Sequence, residues 1–362
     1  MTIEETTRLT PDEIENLSDE QKRQLPTIVN VLEYLSSIEN ANLRKNLRDG
    51  GGMQGMFREG KYMVVSDEAW TNIPKFYPCS QSTFTLMRGE SDYHSKSYPS
   101  LYRPQTKMSN ADYFLISRLQ ACEFIAVMTF HPVVQALSQL CNVEFMAVAQ
   151  HYGFPTEYMD VTNQKWVAAF FACTKYKDGR YIPFDPDKEL KMGVIYVGDP
   201  SVDRSIPSNV KALGFHYFER PTRQNAMVYE MKDGDNFDED SFFKRIVFRH
   251  EAAASEFVYR MSYNQSRYFP KDSWTEIAEQ IRKPDYPLSK SAIDISRHYG
   301  VTQTDDEIRE KLKRHNIAYT ADVMPQAMPN SKQIEWDCKV WKEYTFPHLQ
   351  RCILPIIPVF QL

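Results

Sequence analysis

The chain has 362 residues, of which 42% are hydrophobic and 25% charged, and its formal net charge is −5 at pH 7. This apolar content supplies a large core and excludes wholesale disorder. The acidic balance excludes a protein that coats polyanions with its whole surface, although it allows a local basic groove.

The N-terminus is acidic and polar, so we expect no secretory signal peptide. No apolar run approaches the roughly 20 residues that span a membrane, so we expect no membrane partner. The cysteine usage predicts a reduced, cytoplasmic setting. The six cysteines have no zinc-binding spacing, so we predict no metal. Cys122 and Cys173 lie in apolar helical patterns and are expected to be buried.

Residues 1–60 predict a helical extension that ends in a glycine-rich turn. Thr10 and Glu13 form a capping box at the start of a first helix, and a second helix begins at Pro26. We expect the two helices to form a hairpin. The glycines at 50–55 predict a flexible turn, because they lack the strand and the Lys-Ser or Lys-Thr ending of a phosphate-binding loop.

The main domain is predicted to cover residues 61–330. Strand patterns occur near its start, at 61–66 and 82–87, and again further along the chain, at 194–197, 242–248 and 256–261. Helical patterns lie between them, at 109–130, 143–152 and 165–174. This arrangement predicts an α+β fold, with a central mixed or antiparallel split sheet built from 61–87 and 194–261 and helices packed on it.

The second half of the chain is predicted to be less regular. We interpret 232–288 as an insertion, in which 262–288 is a long loop. Helices are expected at 289–299 and 304–314. The tail at 331–362 is expected to pack on the body, and its last apolar run contains two prolines that exclude a regular helix.

Three stretches resemble a known family. They are LMRGESD at 86–92, AQHYGFPTEYMDVTNQKWVAAFFA at 149–172 and ERPTRQNAMVY at 219–229. In order, they resemble the Arg-Gly, Gln-His-Tyr-Gly-x-Pro-Thr and Arg-x-x-x-Gln segments of the FRG domain family. The resemblance covers roughly 80–230. The chain departs from the family at Glu157, where Arg is usual, and at Val161, where Trp is frequent.

Arg88 and Gly89 form the first candidate site. The planar guanidinium of arginine suits phosphate or carboxylate, and a glycine lets a ligand approach the backbone closely. Arg103, in a downstream Pro-Ser-Leu-x-Arg match, would add a second cation. The alternative is a surface salt bridge with a turn glycine.

The second candidate site is the stretch 150–162, which we interpret as a helix end followed by a loop. His151 and Tyr152 are suited to a ring or a sugar hydroxyl. Asp160 and Thr162 either contact a ligand or cap the helix that begins at Lys165.

The third candidate site contains Arg220, Gln224 and Glu230. Pro221 favours a loop that enters a strand at 227–231. Glu230 is the carboxylate in this stretch that is best suited to activating a nucleophile, whereas Gln224 cannot act as a base.

The order of the three stretches resembles the layout of ADP-ribosyltransferases, whose transition state is oxocarbenium-like and is stabilised by a nearby carboxylate. The resemblance implies NAD as a substrate. It assigns catalysis to Gln224, Glu230 and His151, and ligand binding to Arg88, Gly89, Arg103, Tyr152, Asp160, Thr162 and Arg220. We expect Arg88, His151, Tyr152, Asp160 and Gln224 to line one concavity.

The resemblance thus implies a protein that binds NAD or a related nucleotide and transfers ADP-ribose to a macromolecular target, in a defence or toxin-like role. One alternative is a non-catalytic module for nucleotide sensing or protein interaction, which the glutamine at 224 favours. A further alternative is a single-stranded nucleic-acid binder, because basic and aromatic residues interleave from 244 to 268. The same interleaving is typical of strands with one solvated face.

Overall fold

A computed structural model describes most of the chain. The described residues are 1–48, 62–66, 74–78, 85–186, 191–198, 209–213 and 217–347. The predicted glycine turn at 50–55 and the last apolar run at 353–362 lie outside them.

Six strands of the described residues form the central sheet. In chain order the strands are β1 (Tyr62–Ser66), β2 (Pro74–Pro78), β3 (Met87–Glu90), β4 (Tyr158–Thr162), β5 (Thr174–Lys177), β6 (Arg180–Pro183), β7 (Met192–Gly198), β8 (Val210–Ala212), β9 (Ala226–Glu230) and β10 (Phe243–Arg249). The sheet order is β10-β7-β3-β4-β9-β8, and every pairing is antiparallel. The strands β1 and β2 pair separately, as do β5 and β6.

Helices flank this sheet. The α-helices are α1 (Ile3–Thr6), α2 (Pro11–Glu15), α3 (Asp19–Arg23), α4 (Ile28–Arg48), α5 (Asn110–Phe130), α6 (Pro132–Leu140), α7 (Phe145–His151), α8 (Lys165–Cys173), α9 (Glu219–Gln224), α10 (Ala252–Met261), α11 (Ser273–Ile281), α12 (Lys290–Ser296), α13 (Asp305–Arg314) and α14 (Ser331–Val340). A π-helical turn, Trp341–Thr345, continues α14. The α+β class, with an antiparallel sheet flanked by helices, is confirmed.

The composition of the sheet differs from the prediction in two ways. The strand at 62–66 pairs with β2 and lies outside the central sheet. The strand β4 occupies a stretch that we interpreted as a loop. It lies between β3 and β9 and is almost wholly buried, so it lacks the alternation of apolar and polar residues by which a half-exposed strand is found.

Three other local predictions are wrong. The residues predicted as a strand at 256–261 belong to helix α10, in which Ala254 and Val258 share the buried face. The predicted loop at 262–288 contains helix α11, whose first turn is capped by Asp272. The stretch after Phe218 forms the short helix α9, because Pro221 falls in the first turn, where a missing N–H costs nothing.

The N-terminal segment crosses from one face of the sheet to the other. The capping box of Thr10 and Glu13 is confirmed, but 9–40 contains three helices rather than two. Ile14 packs in the core cluster on the face of β7 that carries Tyr196, whereas Val31 packs on the opposite face. The predicted two-helix hairpin is therefore wrong, because the two parts bury their apolar residues on different sides.

A helical core surrounds α5. This helix is long and apolar enough to cross a membrane. However, 72% of its apolar 18-residue stretch is buried inside the protein, as expected of a core helix. Cys122 and Cys173 are both fully buried, as predicted, and Trp341 from the tail is buried in the same helical core as α5.

Candidate functional site

The central sheet splits between β3 and β4. These strands pair only at Met87 and Thr162. Beyond that point the guanidinium of Arg88 fills the gap, donating from Nη1 to the backbone carbonyl of Asp160 at 2.9 Å. A cavity of about 200 Å³ lies at this split.

Polar side chains from three distant stretches meet in this cavity. Six predicted site residues line it: Arg88, Gly89, His151, Asp160, Thr162 and Gln224. The rings of Phe171 and Tyr181 form part of the wall. Four of the five residues expected to share a concavity therefore do so, and Tyr152 is the exception.

Arg88 is held rigidly at the cavity wall. Its Nε donates to Glu90 at 2.7 Å, and its guanidinium lies 5.9 Å from the ring of Phe237. Burial acts to lower the pKa of Arg88, but the carboxylates of Glu90 and Asp160 outweigh that effect, so the pKa is raised and the side chain stays charged. Among the described residues, neither of its hydrogen bonds uses Nη2.

A chain of hydrogen bonds sets the protonation of His151. Gln224 donates from Nε2 to the carbonyl of Tyr268 at 3.0 Å, so its Oε1 must face His151. That oxygen lies 3.2 Å from Nδ1 of His151, which therefore carries the hydrogen and donates. The other ring nitrogen, Nε2, is left as an acceptor.

The side chains of His151 and Asp160 face each other, and each contributes one hydrogen-bond acceptor. Nε2 of His151 lies 3.6 Å from Oδ1 of Asp160, and both atoms are buried without a hydrogen-bond partner. Burial lowers the pKa of His151, although Asp160 opposes the shift, so the ring is neutral at pH 7. A buried pair of acceptors with no donor between them is unfavourable and calls for a donor from outside the protein.

Gly89 and Thr162 serve the local structure as well as the cavity wall. A Cβ atom on Gly89 would lie 1.9 Å from the carbonyl oxygen of Ala168, so the missing side chain lets α8 pack against β3. Thr162 donates to the carbonyl of Gln224 at 2.8 Å and accepts from the backbone N–H of Gln164 at 3.1 Å. The hydroxyl thus supports the turn that precedes α8.

Tyr152 and Arg220 lie behind the cavity wall. Tyr152 is 1% exposed and donates its hydroxyl hydrogen to Asp272 at 2.7 Å. The guanidinium of Arg220 lies 5.0 Å from the Tyr152 ring and donates to the backbone carbonyl of His151 at 3.0 Å. Both residues therefore support the position of His151 from outside the cavity.

Arg103 and Glu230 lie away from the cavity. Arg103 is exposed and donates to the carbonyl of Tyr98 at 3.3 Å. Glu230 pairs with Lys211 at 3.1 Å. Gln224 lies just before the first residue of β9, and Glu230 is the last residue of that strand. At the usual rise per residue of a strand, the length of β9 separates them by roughly 13 Å.

The two positions that depart from the family pattern have different surroundings. Glu157 forms an ion pair of 2.9 Å with Arg118, whose side chain is only 4% exposed. Val161 is buried and lines the cavity.

Tyr181 lines the cavity wall but was not predicted from the sequence. It lies on β6, the second strand of a hairpin whose turn is Asp178-Gly179, and both turn residues have positive φ angles. Asp-Gly is a strong signal for a two-residue hairpin and would have predicted β5 and β6. The role of the Tyr268 carbonyl had no sequence signal, because any residue supplies a carbonyl.

The fold and the cavity define an α+β domain with a polar cleft at a split antiparallel sheet. Residues 84–180 match the family model of the FRG domain, so the chain carries an FRG domain. The match includes the first two of the three resembling stretches, at 86–92 and 149–172, and ends before the third, at 219–229. No curated protein and no solved structure matches the chain significantly. The ADP-ribosyltransferase-like fold therefore stays a prediction. Within the described part of the chain, no group of three His, Cys, Asp or Glu side chains is placed to hold a metal.

Proposed function

We propose that the cavity at the split between β3 and β4 binds the ribosyl part of NAD or of a related nucleotide. The observation that carries the proposal is the acceptor pair, His151 Nε2 and Asp160 Oδ1, buried 3.6 Å apart without a donor. A ligand with two neighbouring hydroxyl groups would satisfy both atoms at once. The vicinal diol of a ribose is such a group.

The other wall residues suit the rest of such a ligand. Nη2 of Arg88 would contact a phosphate or ribose oxygen, and the rings of Phe171 and Tyr181 would contact a nicotinamide or a base. A volume of about 200 Å³ is below the roughly 300 Å³ at which pockets for drug-sized ligands begin. We therefore expect the cavity to enclose the ribose and its attached ring, while the rest of the nucleotide lies outside.

A second candidate function is ADP-ribosyl transfer, and the position of Asp160 favours it. Cleavage of the bond between ribose and nicotinamide builds positive charge on the ribose, and a carboxylate beside it lowers the barrier. Asp160 supplies that carboxylate in the cavity, whereas Glu230 is paired with Lys211 elsewhere. For this reaction we assign the stabilising role to Asp160 rather than to Glu230 or Gln224.

The binding proposal is tested by titration calorimetry with NAD and ADP-ribose. The informative variant is Asp160→Asn, because the new amide would donate to His151 Nε2 and satisfy it within the protein. We expect this variant to stay folded, because Glu90 still pairs with Arg88, yet to bind about 5- to 150-fold more weakly, from a penalty of about 1–3 kcal/mol. Glu230→Gln is the matched control, since it removes the same charge outside the cavity and should leave binding unchanged.

Two results would contradict the proposal. One is the absence of any heat with NAD, ADP-ribose or simple nucleotides. The other is equal affinity for a nucleotide and for its analogue without the two ribose hydroxyls.

The transfer reaction has a separate test. Release of nicotinamide from NAD in the presence of candidate targets, blocked in Asp160→Asn and retained in Glu230→Gln, would support transfer. Binding of NAD without consumption would instead indicate a nucleotide sensor.

A further inference from the structure

A row of aromatic rings leads from the cavity wall to solvent. Tyr181 lines the cavity, and its ring lies 5.8 Å from that of Phe171, another wall residue. Tyr176 pairs with Tyr181 across the β5–β6 hairpin, so both side chains lie on the same side of it, and their rings are 5.1 Å apart. Tyr176 is 64% exposed, so the row ends in a ring that is open to solvent.

Arg282 lies near the outer end of this row. A Cβ atom on Gly153 would lie only 2.6 Å from Nη1 of Arg282, so the missing side chain makes room for the guanidinium. The same group lies 6.0 Å from the ring of Phe154. Gly153 is the second residue after His151, so Arg282 rests against the turn that follows the cavity histidine.

The guanidinium of Arg282 has no anionic partner among the described residues. The side chain is exposed, and its one hydrogen bond there runs from Nε to the carbonyl of Ala278 at 3.2 Å. Burial lowers the pKa of Arg282 and the carboxylate of Glu279 raises it, while smaller effects of Arg220 and Tyr176 place both of those side chains nearby.

Arg220 adds to the positive charge at this place. Its guanidinium donates to a backbone carbonyl and to the hydroxyl of Thr275, and it forms no ion pair within the part of the chain that the structure describes. Two neighbouring guanidinium groups without a carboxylate attract an anion, and the terminal nitrogens of Arg282 are the ones free to bind it.

The exposed ring and the unpaired cation suit the part of a nucleotide that the cavity cannot enclose. A ligand whose ribose fills the cavity would leave it beside Tyr181. A phosphate outside the cavity would then lie within reach of Arg282, and a second base would find the ring of Tyr176. Bases of any kind stack on exposed aromatic rings.

A structural role for Arg282 explains less. Arg282 follows the last residue of α11 and lies near the end of α7, and a cation stabilises the C-terminal end of a helix. That role leaves the exposed ring of Tyr176 without a purpose. It also predicts no difference between ligands that have one nucleotide and ligands that have two.

The basic and aromatic surface predicted from the sequence at 244–268 is only partly present. Arg245 is paired with the buried Asp238, Arg249 is paired with Glu251, and Tyr268 is buried. Nucleic-acid binding by this surface therefore has less support than the sequence indicated.

We propose that the protein binds a dinucleotide, with its pyrophosphate on Arg282 and its outer base stacked on Tyr176. This inference rests on the proposed binding of a ribose in the cavity, and it identifies what holds the other half of the ligand. It also predicts that a mononucleotide binds less well, because the outer base is missing.

The test is titration calorimetry of the full chain with NAD and with nicotinamide mononucleotide, which lacks the adenosine half. The wild type should bind NAD at least about 5-fold more tightly. Tyr176→Ser should weaken NAD binding by about 5- to 150-fold through lost stacking and leave the affinity for the mononucleotide unchanged. Arg282→Gln should weaken NAD binding by about 10-fold through the lost contact with phosphate.

Two matched controls remove similar groups elsewhere. Tyr344→Ser removes a ring that is 69% exposed, and Arg314→Gln removes an exposed cation from α13. Both variants should bind NAD as the wild type does, and losses equal to those of Tyr176→Ser and Arg282→Gln would overturn the proposal.

The outcomes separate this inference from the proposed cavity site. Equal affinity of the wild type for NAD and the mononucleotide, or unchanged NAD affinity in Tyr176→Ser, would overturn the dinucleotide site and leave the cavity site standing. An equal loss of both ligands in Tyr176→Ser would mean that the hairpin has moved and would also overturn it. Absence of binding of either ligand to the wild type would overturn both proposals.

Discussion

Replacing Gly89 with alanine should destabilise the protein more than a single methyl group usually does. The added Cβ would lie 1.9 Å from the carbonyl oxygen of Ala168 and 3.0 Å from the Cβ of Ala172. An ordinary contact between carbon and oxygen is about 3.3 Å or longer, so α8 would have to move away from β3 by more than an ångström. The obstacle is a helix backbone, which cannot rotate aside as a side chain can.

The expected cost of this substitution follows from that displacement. Overpacking of a core usually costs about 1–3 kcal/mol, and we expect Gly89→Ala to reach or exceed about 3 kcal/mol in urea unfolding. Gly234→Ala is the control, because Gly234 has a φ of 91° with no neighbouring atom within 4 Å of a Cβ. This control should lower the free energy of unfolding by only about 1–2 kcal/mol, the strain of a non-glycine residue in a left-handed backbone conformation.

Either of two outcomes would refute this reasoning. The first is an unfolding free energy for Gly89→Ala within about 1 kcal/mol of the wild type. The second is normal stability combined with lost NAD binding, which would mean that the glycine serves a ligand rather than the packing of α8.

Three further predictions concern individual side chains. Tyr152→Phe removes the hydrogen bond to Asp272, so urea unfolding should show a loss of about 1 kcal/mol, with no change in NAD affinity. Hydrogen bonds from His315 and Lys311 lower the pKa of Asp112 to about 2, so its stabilising effect is complete above about pH 4 and is lost as the pH falls through 2. Asp112→Asn should flatten the pH dependence of unfolding in that range. Burial lowers the pKa of His151 below 6.5, so calorimetry should find a constant NAD affinity above pH 6.5 and a weaker one as the pH falls through the lowered pKa.

The helices were predicted best where their ends carry local signals. The capping box at Thr10 occurs as expected. The helices expected at 289–299 and 304–314 are also present, and the structure shows a stop at Gly300 for the first and a capping box at Thr304 for the second. These signals are reliable because a cap is a hydrogen bond between residues three or four apart, so its geometry depends little on the rest of the fold. The helix α10 was missed because its N-cap residue, Glu251, makes no capping hydrogen bond. The helix α11 was missed although Asp272 caps its first turn, because the whole stretch 262–288 was interpreted as a loop.

The candidate site was predicted only in part, for a different reason. The motif residues Arg88, His151, Asp160 and Gln224 do meet, as expected. The sequence did not indicate that Tyr152, the neighbour of His151, points away from the cavity. Adjacent residues at a helix end project in different directions, and the direction is known only once the helix is packed.

The sequence by itself determined that the chain carries an FRG domain, that the fold is α+β, and which three stretches supply the polar residues of the cavity. These properties follow from which residues are present and from their spacing within short stretches of the sequence. Only the tertiary structure decided that β4 joins the sheet, that Glu230 lies at the far end of β9, and that His151 faces Asp160 as an acceptor. The physical reason is that these relations depend on strand register and on side-chain hydrogen bonds between residues far apart in the chain, which no local pattern encodes.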